Sequence, residues 1–527
     1  MIDVRPPSVV QVMSHHARLT PQKVAVVCAA EQRTWAQLIA RSNQIANQLL
    51  ALGLRRGDKV AALLNNSIEL LEVMLGTIAA GCVTVPLSVL MAGDSLAAMI
   101  DNSEAKVLFA SADTLEQVNP LRGSLRGLSP EHGFISVDTV TPGWITLAQW
   151  LAGSPTSDPL LRIDFDDSIS ILYTSGTTGV PKGMEHSHFS RLLYPLGLGP
   201  LMKIDANSRT ILATPMYHNG TWVTMLPTLY AGGTVVILPK FGAAQFQDAV
   251  DRERCTHAFM VPSQLVLTLN SATFTPQKLR TMRGVMCSGS PLSSETFRRV
   301  RESLPDLEFC EIYGMGEGFM TFIGTHDYAA GKAGSVGRPI AAVDTDIRII
   351  GPDDCELAQG GVGEIVGYSA LLLKGYYRDP ERTAASLWTH PDNGLKYLRS
   401  GDVGFYDTDG YLHLSGRLKD MIISGGVKIY AVDIEDAFMQ HPEVQEVAVI
   451  GIPHEKWGET PMLLAVMRPD ARTSEAQILE WGNARVGKTQ RVSRVEFRTS
   501  FPRNTLDKIL KRELREPYWA GMSRPIA

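Results

Sequence analysis

The chain has 527 residues, of which 44% are hydrophobic and 20% charged. That apolar mass is enough to offset chain entropy, so an intrinsically disordered chain is excluded, and the length calls for several folding units. A formal net charge of -5 argues against a dedicated nucleic-acid binder, which needs a basic surface.

In chain order, the first sixteen residues lack a charged start followed by an apolar run, so no secretory signal is expected there. Thr34 to Leu54 reads as an amphipathic helix ending near Gly53, and Lys59 to Leu64 as a buried strand. Val73 to Gly93 carries no charge and approaches the length of a membrane span. Gly76, Gly81, Pro86 and Ser88 interrupt it, so the expected structure is a helix over Glu69–Ala80 and a short strand over Val83–Pro86. Ala105–Ala110, Arg209–Thr214, Thr234–Leu238, His257–Val261 and Gly284–Ser288 are further apolar runs between helical windows. Strands alternating with helices predict a parallel-sheet α/β architecture. Beyond about residue 340, Thr345–Gly351, Gly363–Tyr368 and Asp407–Leu414 carry polar alternation, which predicts a small antiparallel or barrel-like part. After Gly416-Arg417-Leu418-Lys419-Asp420 a compact α+β unit is expected. It has a helix near Val432–Gln440 and strands over Val444–Ile450 and Met462–Met467. The six cysteines are scattered without metal-ligand spacing and are expected to be buried small hydrophobes in a reducing compartment.

Ile171-Leu172-Tyr173 ends a strand and runs into Thr174-Ser175-Gly176-Thr177-Thr178-Gly179-Val180-Pro181-Lys182-Gly183. Glycines let backbone amides approach a polyphosphate, and hydroxyls and an ammonium donate to its oxygens. The spacing is not that of a Walker A loop. It resembles the phosphate loop of the adenylate-forming superfamily, which includes acyl- and aryl-CoA synthetases, luciferases and the adenylation domains of peptide synthetases. Further segments resemble the other motifs of that superfamily in order: Pro215-Met216-Tyr217-His218-Asn219-Gly220-Thr221-Trp222, Ser288-Gly289-Ser290-Pro291-Leu292, Tyr313-Gly314-Met315-Gly316-Glu317, Tyr397 to Asp402, Gly416 to Asp420, and Pro502 to Ile509. The resemblance covers essentially the whole chain.

The resemblance implies two half-reactions: a carboxylate attacks the ATP α-phosphate, and a thiol of CoA then displaces AMP. It assigns Lys508 as the cation between the carboxylate and the α-phosphate, and places Lys182 on the outer phosphates. Glu317, with Thr174, would hold Mg²⁺, since a hard cation takes carboxylate and hydroxyl oxygens. Thr174, Ser175, Gly176, Thr177, Thr178 and Gly179 would cradle phosphate. Gly289, Ser290, Pro291, Tyr313, Gly314, Met315 and Gly316 would flank the adenine and AMP phosphate, and Asp402 and Arg417 would take the ribose side. Met216, Tyr217, His218, Trp222, Val261, Gly289 and Met315 would shape the acyl pocket, where a hydrogen-bonded structural role for His218 is an alternative. Lys419 would be the hinge, dividing an adenylating domain (1–418) from a mobile C-terminal domain (419–527), and Gly425-Gly426 would let a pantetheine arm pass.

Three residues depart from the pattern. Gly316 and Asn504 stand where threonines are usual, and Asp507 replaces the glycine before Lys508. From Arg485 to Arg515, ten Lys/Arg face Glu496, Asp507 and Glu513, a basic stretch suited to phosphates or equally to a solvated face. The expected protein is a cytoplasmic α/β enzyme, a monomer or a homodimer, with ATP, Mg²⁺ and coenzyme A as partners and no membrane span. It would activate an aromatic, cyclic or medium-chain acid. Loading of a carrier protein, a luciferase-like oxygenase and a catalytically weak nucleotide-binding module are the alternatives.

Overall fold

The computed structural model describes residues 8–174, 182–290, 292–503 and 508–520. It divides into two units: Met1–Ala333 with Pro339–Asp346 and Tyr368–Leu387, and Gly334–Arg338 with Ile347–Gly367 and Trp388–Ala527. The expected boundary at Lys419 falls inside the second unit.

In the first unit two sheets share one core. Parallel strands Glu308–Gly314, Gly284–Cys287, His257–Met260, Arg209–Leu212, Thr234–Ile237 and Val24–Cys28 lie side by side in that order. The second sheet runs Lys182–Ser187, Ser168–Thr174, Val83–Pro86, Lys59–Leu63, Ala105–Ala110 and Phe134–Ser136, parallel except where Ser168–Thr174 pairs antiparallel with Lys182–Ser187. Strands such as Val83–Pro86, Thr234–Ile237 and Gly284–Cys287 are buried along their whole length, which is why they read as short apolar runs.

Helices Trp35–Ala51, Ile68–Ala79 and Asn219–Tyr230 belong to the core that draws on both sheets, with Trp35, Leu38, Trp222 and Phe109 fully buried. Their starts are written locally. The Thr34 hydroxyl accepts from Gln37 N while the Gln37 side chain accepts from Thr34 N, and Ser67 caps the next helix through Leu70 N. The uncharged run near Val73 is therefore a buried helix and a buried strand, and among the described residues no helix is long and apolar enough to cross a membrane.

Gly76 marks where two of these helices touch. A Cβ there would lie 2.7 Å from Ser42 O and 2.7 Å from the Ile45 side chain. Gly76→Ala gains helix propensity of up to about 1 kcal/mol but overpacks by about 1–3 kcal/mol. The net is a destabilisation, read as a lower denaturant midpoint with an unchanged slope.

The second unit holds an antiparallel sheet in which Lys396–Tyr406 pairs with Gly363–Tyr368 and Leu412–Arg417. Its remainder is an α+β layer. Helices Ala431–Met439 and Glu475–Asn483 pack on a sheet built from the hairpin Val444–His454/Gly458–Met467 and the parallel strand Val495–Arg498. The hairpin strands run further than their apolar cores predict, because pairing continues through Gly451–Pro461 and Pro453–Glu459 to His454–Gly458. Two cysteines depart from the expectation: Cys28 is half-buried and Cys355 exposed, whereas the other four are buried.

Candidate functional site

The first unit carries the phosphate-loop flanks. Thr174 ends one strand, Lys182 begins the next, and the two are register partners. Ser175, Gly176, Thr177, Thr178 and Gly179, and also Pro291, lie outside the described residues, as do Asn504 and Asp507.

The strand from Lys182 also supplies the floor under Gly316. A Cβ on Gly316 would come 2.7 Å from the sulfur of Met184, so a larger residue there requires the end of that flexible side chain to shift. Behind it, His186 Nε2 lies 2.9 Å from Gly316 O. A carbonyl only accepts, so Nε2 carries the proton and donates. Burial, and then the charge of Arg191, push His186 well below the ordinary histidine range, so it stays neutral.

Glu317 is held at both ends. Its backbone O accepts from Leu373 N at 2.7 Å, and its Oε1 accepts from the Tyr376 hydroxyl at 2.8 Å. Burial and the Glu317 charge raise the Tyr376 phenol, which therefore keeps its proton and donates. One carboxylate with a spare oxygen fits Mg²⁺, which is commonly held by one or two carboxylates together with substrate phosphates. Gly318 has φ +129° and leaves no room for a Cβ, which would sit 2.2 Å from Leu371 O. Tyr313 lies on the strand Glu308–Gly314, half-buried, with its ring 6.3 Å from Phe319. Gly314 is exposed, while Met315, Gly316 and Glu317 are half-buried.

The acyl-pocket residues fall into two classes. Met216 and Trp222 are fully buried: Met216 N donates to Asn66 Oδ1 and Trp222 Nε1 donates to Met216 O, each at 2.8 Å. They brace the turn from behind and do not line an open surface. Tyr217, His218 and Val261 are also buried, whereas Gly289 and Ser290 are exposed. His218 occupies the N-cap of Asn219–Tyr230 without capping it through its side chain, and its ring lies 4.6 Å from that of Tyr217. Gly289 has φ +105°, and its Cβ would touch Val261 at 3.3 Å.

The second unit carries the remaining charged groups. Asp402 and Arg417 are register partners on neighbouring strands, and Asp402 Oδ1 meets Arg417 Nε at 2.8 Å. Lys508 directly precedes Ile509, which forms an isolated antiparallel bridge with Arg503, and Leu510 N donates to Pro502 O at 2.8 Å. It precedes the short basic helix Lys511–Arg515 and is not part of it. Its ammonium is pushed down to about 8, chiefly by burial and then by the charge of Arg417, against the pull of Asp402 and Asp420. Lys419 lies in the exposed turn Leu418–Asp420, with its carbonyl 3.4 Å from Arg515 Nη1.

Gly425 and Gly426 have φ +58° and +83° and are exposed. A Cβ on Gly425 would lie 2.6 Å from the Trp457 ring, which is 46% exposed. Sequence reasoning missed Trp457, Tyr376 and His186, because nothing local to them signals what they touch. The basic stretch is also less free than its count implies. Arg494 and Arg498 pair with Glu496, Arg503 with Glu446 and Lys511 with Glu435. Of the two readings of that stretch, phosphate patch or solvated face, neither counted Glu446 and Glu435, acids from other elements that pair with two of its ten cations.

Comparison with known proteins adds to this geometry. Residues 13–377 match the model of the AMP-binding enzyme family, and residues 433–508 match the AMP-binding enzyme C-terminal domain. The chain is 33% identical over 493 residues to the long-chain-fatty-acid–CoA ligase FadD13 of Mycobacterium tuberculosis, covering 93% of this chain and 94% of that protein. It is 32% identical over 509 residues to a feruloyl-CoA synthase of Amycolatopsis, covering 95% and 97%. Among solved structures, ATP-bound MatB from Rhodopseudomonas palustris superposes with a TM-score of 0.86 at 30% identity, covering 97% of this chain and 99% of that one.

Proposed function

The chain belongs to the AMP-binding enzyme family, and from that premise we propose that it is an AMP-forming acid–CoA ligase. A substrate carboxylate oxygen attacks the ATP α-phosphorus, and the bond to pyrophosphate breaks. The thiolate of CoA then attacks the acyl carbon of the adenylate, and AMP leaves with the C–O bond electrons.

The observation that carries this reading is the Lys508 ammonium beside the Asp402–Arg417 pair. Two anions must meet for adenylation, and a partly desolvated cation at that point stabilises the charge that develops. Asp402 would accept from the ribose hydroxyls, and Arg417 would hold Asp402 in place. Glu317, oriented by Tyr376, would hold Mg²⁺ with Thr174, and the ion when bound would neutralise phosphate charge. Lys182 and the segment 174–179 would take the outer phosphates. Tyr313 to Gly316, with Gly289, Ser290 and Pro291, would flank the base and the AMP phosphate. Tyr217, His218, Val261, Gly289 and Met315 would shape the acyl side, with Met216 and Trp222 bracing that turn from behind. Lys419 would act as the hinge between 1–418 and 419–527, absorbing a backbone change that alternates Lys508 with Gly425-Gly426 at the reacting centre.

The test is acid-dependent pyrophosphate release across aromatic, cyclic and medium-chain acids, with ATP and Mg²⁺, followed by addition of CoA. The expected result is stoichiometric AMP, pyrophosphate and acyl-CoA for at least one acid. Absence of pyrophosphate release with every acid, in a protein that still binds ATP, refutes the reading.

A further inference from the structure

The helix His188–Leu193 carries a cation that the adenylation chemistry above does not use. Arg191 is fully buried, at 0% exposure. Its guanidinium lies 4.7 Å from the centroid of the Tyr194 ring and 5.5 Å from that of Trp222. Among the described residues no carboxylate pairs with it, and its three nitrogens meet no acceptor in strict bonding geometry; the one polar group that favours its charge is the Tyr194 hydroxyl. Its aromatic neighbours offer their ring faces, and the nearby Tyr194 hydroxyl donates to Asn219 Oδ1 at 3.1 Å. The neighbouring imidazole, His186, is neutral and supplies no counter-charge.

A guanidinium at this depth with no anion is strongly disfavoured, and removing a partner from a buried pair is costly for the same reason. Its surroundings also point to a ligand site. Arg191 leads directly into a π-helical turn over Tyr194–Leu198, a rare conformation that is frequent at functional sites. Asn219 and Trp222, which Tyr194 and Arg191 touch, lie in the first turn of the helix that follows His218, on the proposed acyl side.

We propose that Arg191 receives a second carboxylate of the acid substrate, so that the enzyme activates one end of a dicarboxylic acid. This rests on the acid–CoA ligase reading and names its substrate class. A planar guanidinium presents paired N–H donors that match a carboxylate, and the Tyr194 and Trp222 faces hold that plane. Admission of the substrate requires these rings, which now rest on the guanidinium, to move aside. An acid whose far end is a methyl group leaves the cation uncompensated, and the site discriminates against it.

The test measures pyrophosphate release with matched pairs of acids: hexanoate and adipate, octanoate and suberate, and benzoate with the three benzenedicarboxylates. Wild-type protein is compared with Arg191→Met, which keeps the side-chain volume, and Arg191→Lys, which keeps the charge without the fork. The expected result is that the best pair favours the diacid by about 100-fold in kcat/KM. In Arg191→Met that ratio collapses about 100-fold, and in Arg191→Lys it is intermediate. Wild-type preference for the monoacids overturns the proposal while leaving the ligase reading standing. So does a ratio unchanged in both variants, which would make Arg191 a water-solvated structural cation. The wild-type ratio needs no variant, so a variant that fails to fold does not protect the proposal. No release with any acid overturns the ligase reading and this proposal together.

Discussion

Lys508→Ala is expected to lower acyl-adenylate formation about 1000-fold, measured as acid-dependent ATP–pyrophosphate exchange. Loss of a preorganised electrostatic stabiliser costs about 10²–10³ in rate, and this one bears charge between two anions. The second half-reaction, started from synthetic acyl-adenylate and CoA, is expected to fall far less, because it brings no new anion to the phosphate. Exchange within threefold of wild type would sink the assignment.

The same residue makes a pH prediction. Burial lowers the Lys508 ammonium to about 8 in the substrate-free chain, against about 10.4 for an exposed lysine. The acting form is charged, so kcat/KM for ATP should decline above pH 8, and Lys508→Arg should move that limb upward because guanidinium stays protonated. Bound phosphates favour the ammonium, so the limb in kcat should lie higher than that in kcat/KM. Stability runs the opposite way. The unfolded chain holds this proton more tightly between about pH 8 and 10.4, so the destabilisation from burying the charge is full below 8 and relieved as pH rises through that window.

Asp402→Ala is the second large effect: KM for ATP is expected to rise about 30–100-fold with a smaller change in kcat. Asp402 is buried, opposes Arg417 in the strand register, and meets it at 2.8 Å. Its removal takes away the proposed ribose acceptor and leaves the Arg417 guanidinium without that carboxylate, an effect in the range of about 2–3 kcal/mol. A thermal-shift measurement separates binding from folding. Wild-type ATP affinity with a lowered melting midpoint would make the pair structural. Arg417→Ala in the Asp402→Ala background should add little if the two act as one unit.

Much of the architecture could be read directly from local chemistry. Strands buried on both faces show as runs such as Lys59–Leu63 and Thr234–Ile237, and helix starts show as Thr34 and Ser67 caps. The chemistry was legible through the resemblance of the ordered motifs to the adenylate-forming superfamily, which implies glycines and hydroxyls for phosphate, a carboxylate for ribose and a lysine for the meeting anions. Departures were harder to interpret. Gly316 stands where a threonine is usual, and its neighbour there, the end of the Met184 side chain, comes from 132 positions away in the chain. Along Arg485–Arg515, charge counts ignore partners such as Glu446 and Glu435, which come from other elements.

The chain by itself determined the parallel α/β class and the small α+β part, since periodicity and capping are local properties, and the resemblance of its motifs implied the kind of reaction. Tertiary structure alone decided which groups are desolvated and beside which neighbours. Lys508 and Lys511 are both lysines of one basic stretch, yet one has its ammonium lowered to about 8 and the other is tied to Glu435. Arg191 sits in a segment, His188 to Tyr194, that reads as an ordinary helix turn, and only packing against Tyr194 and Trp222 turns it into a buried cation with no carboxylate partner among the described residues. Burial and Coulomb interaction depend on distance in space, and residues far apart in sequence supply both.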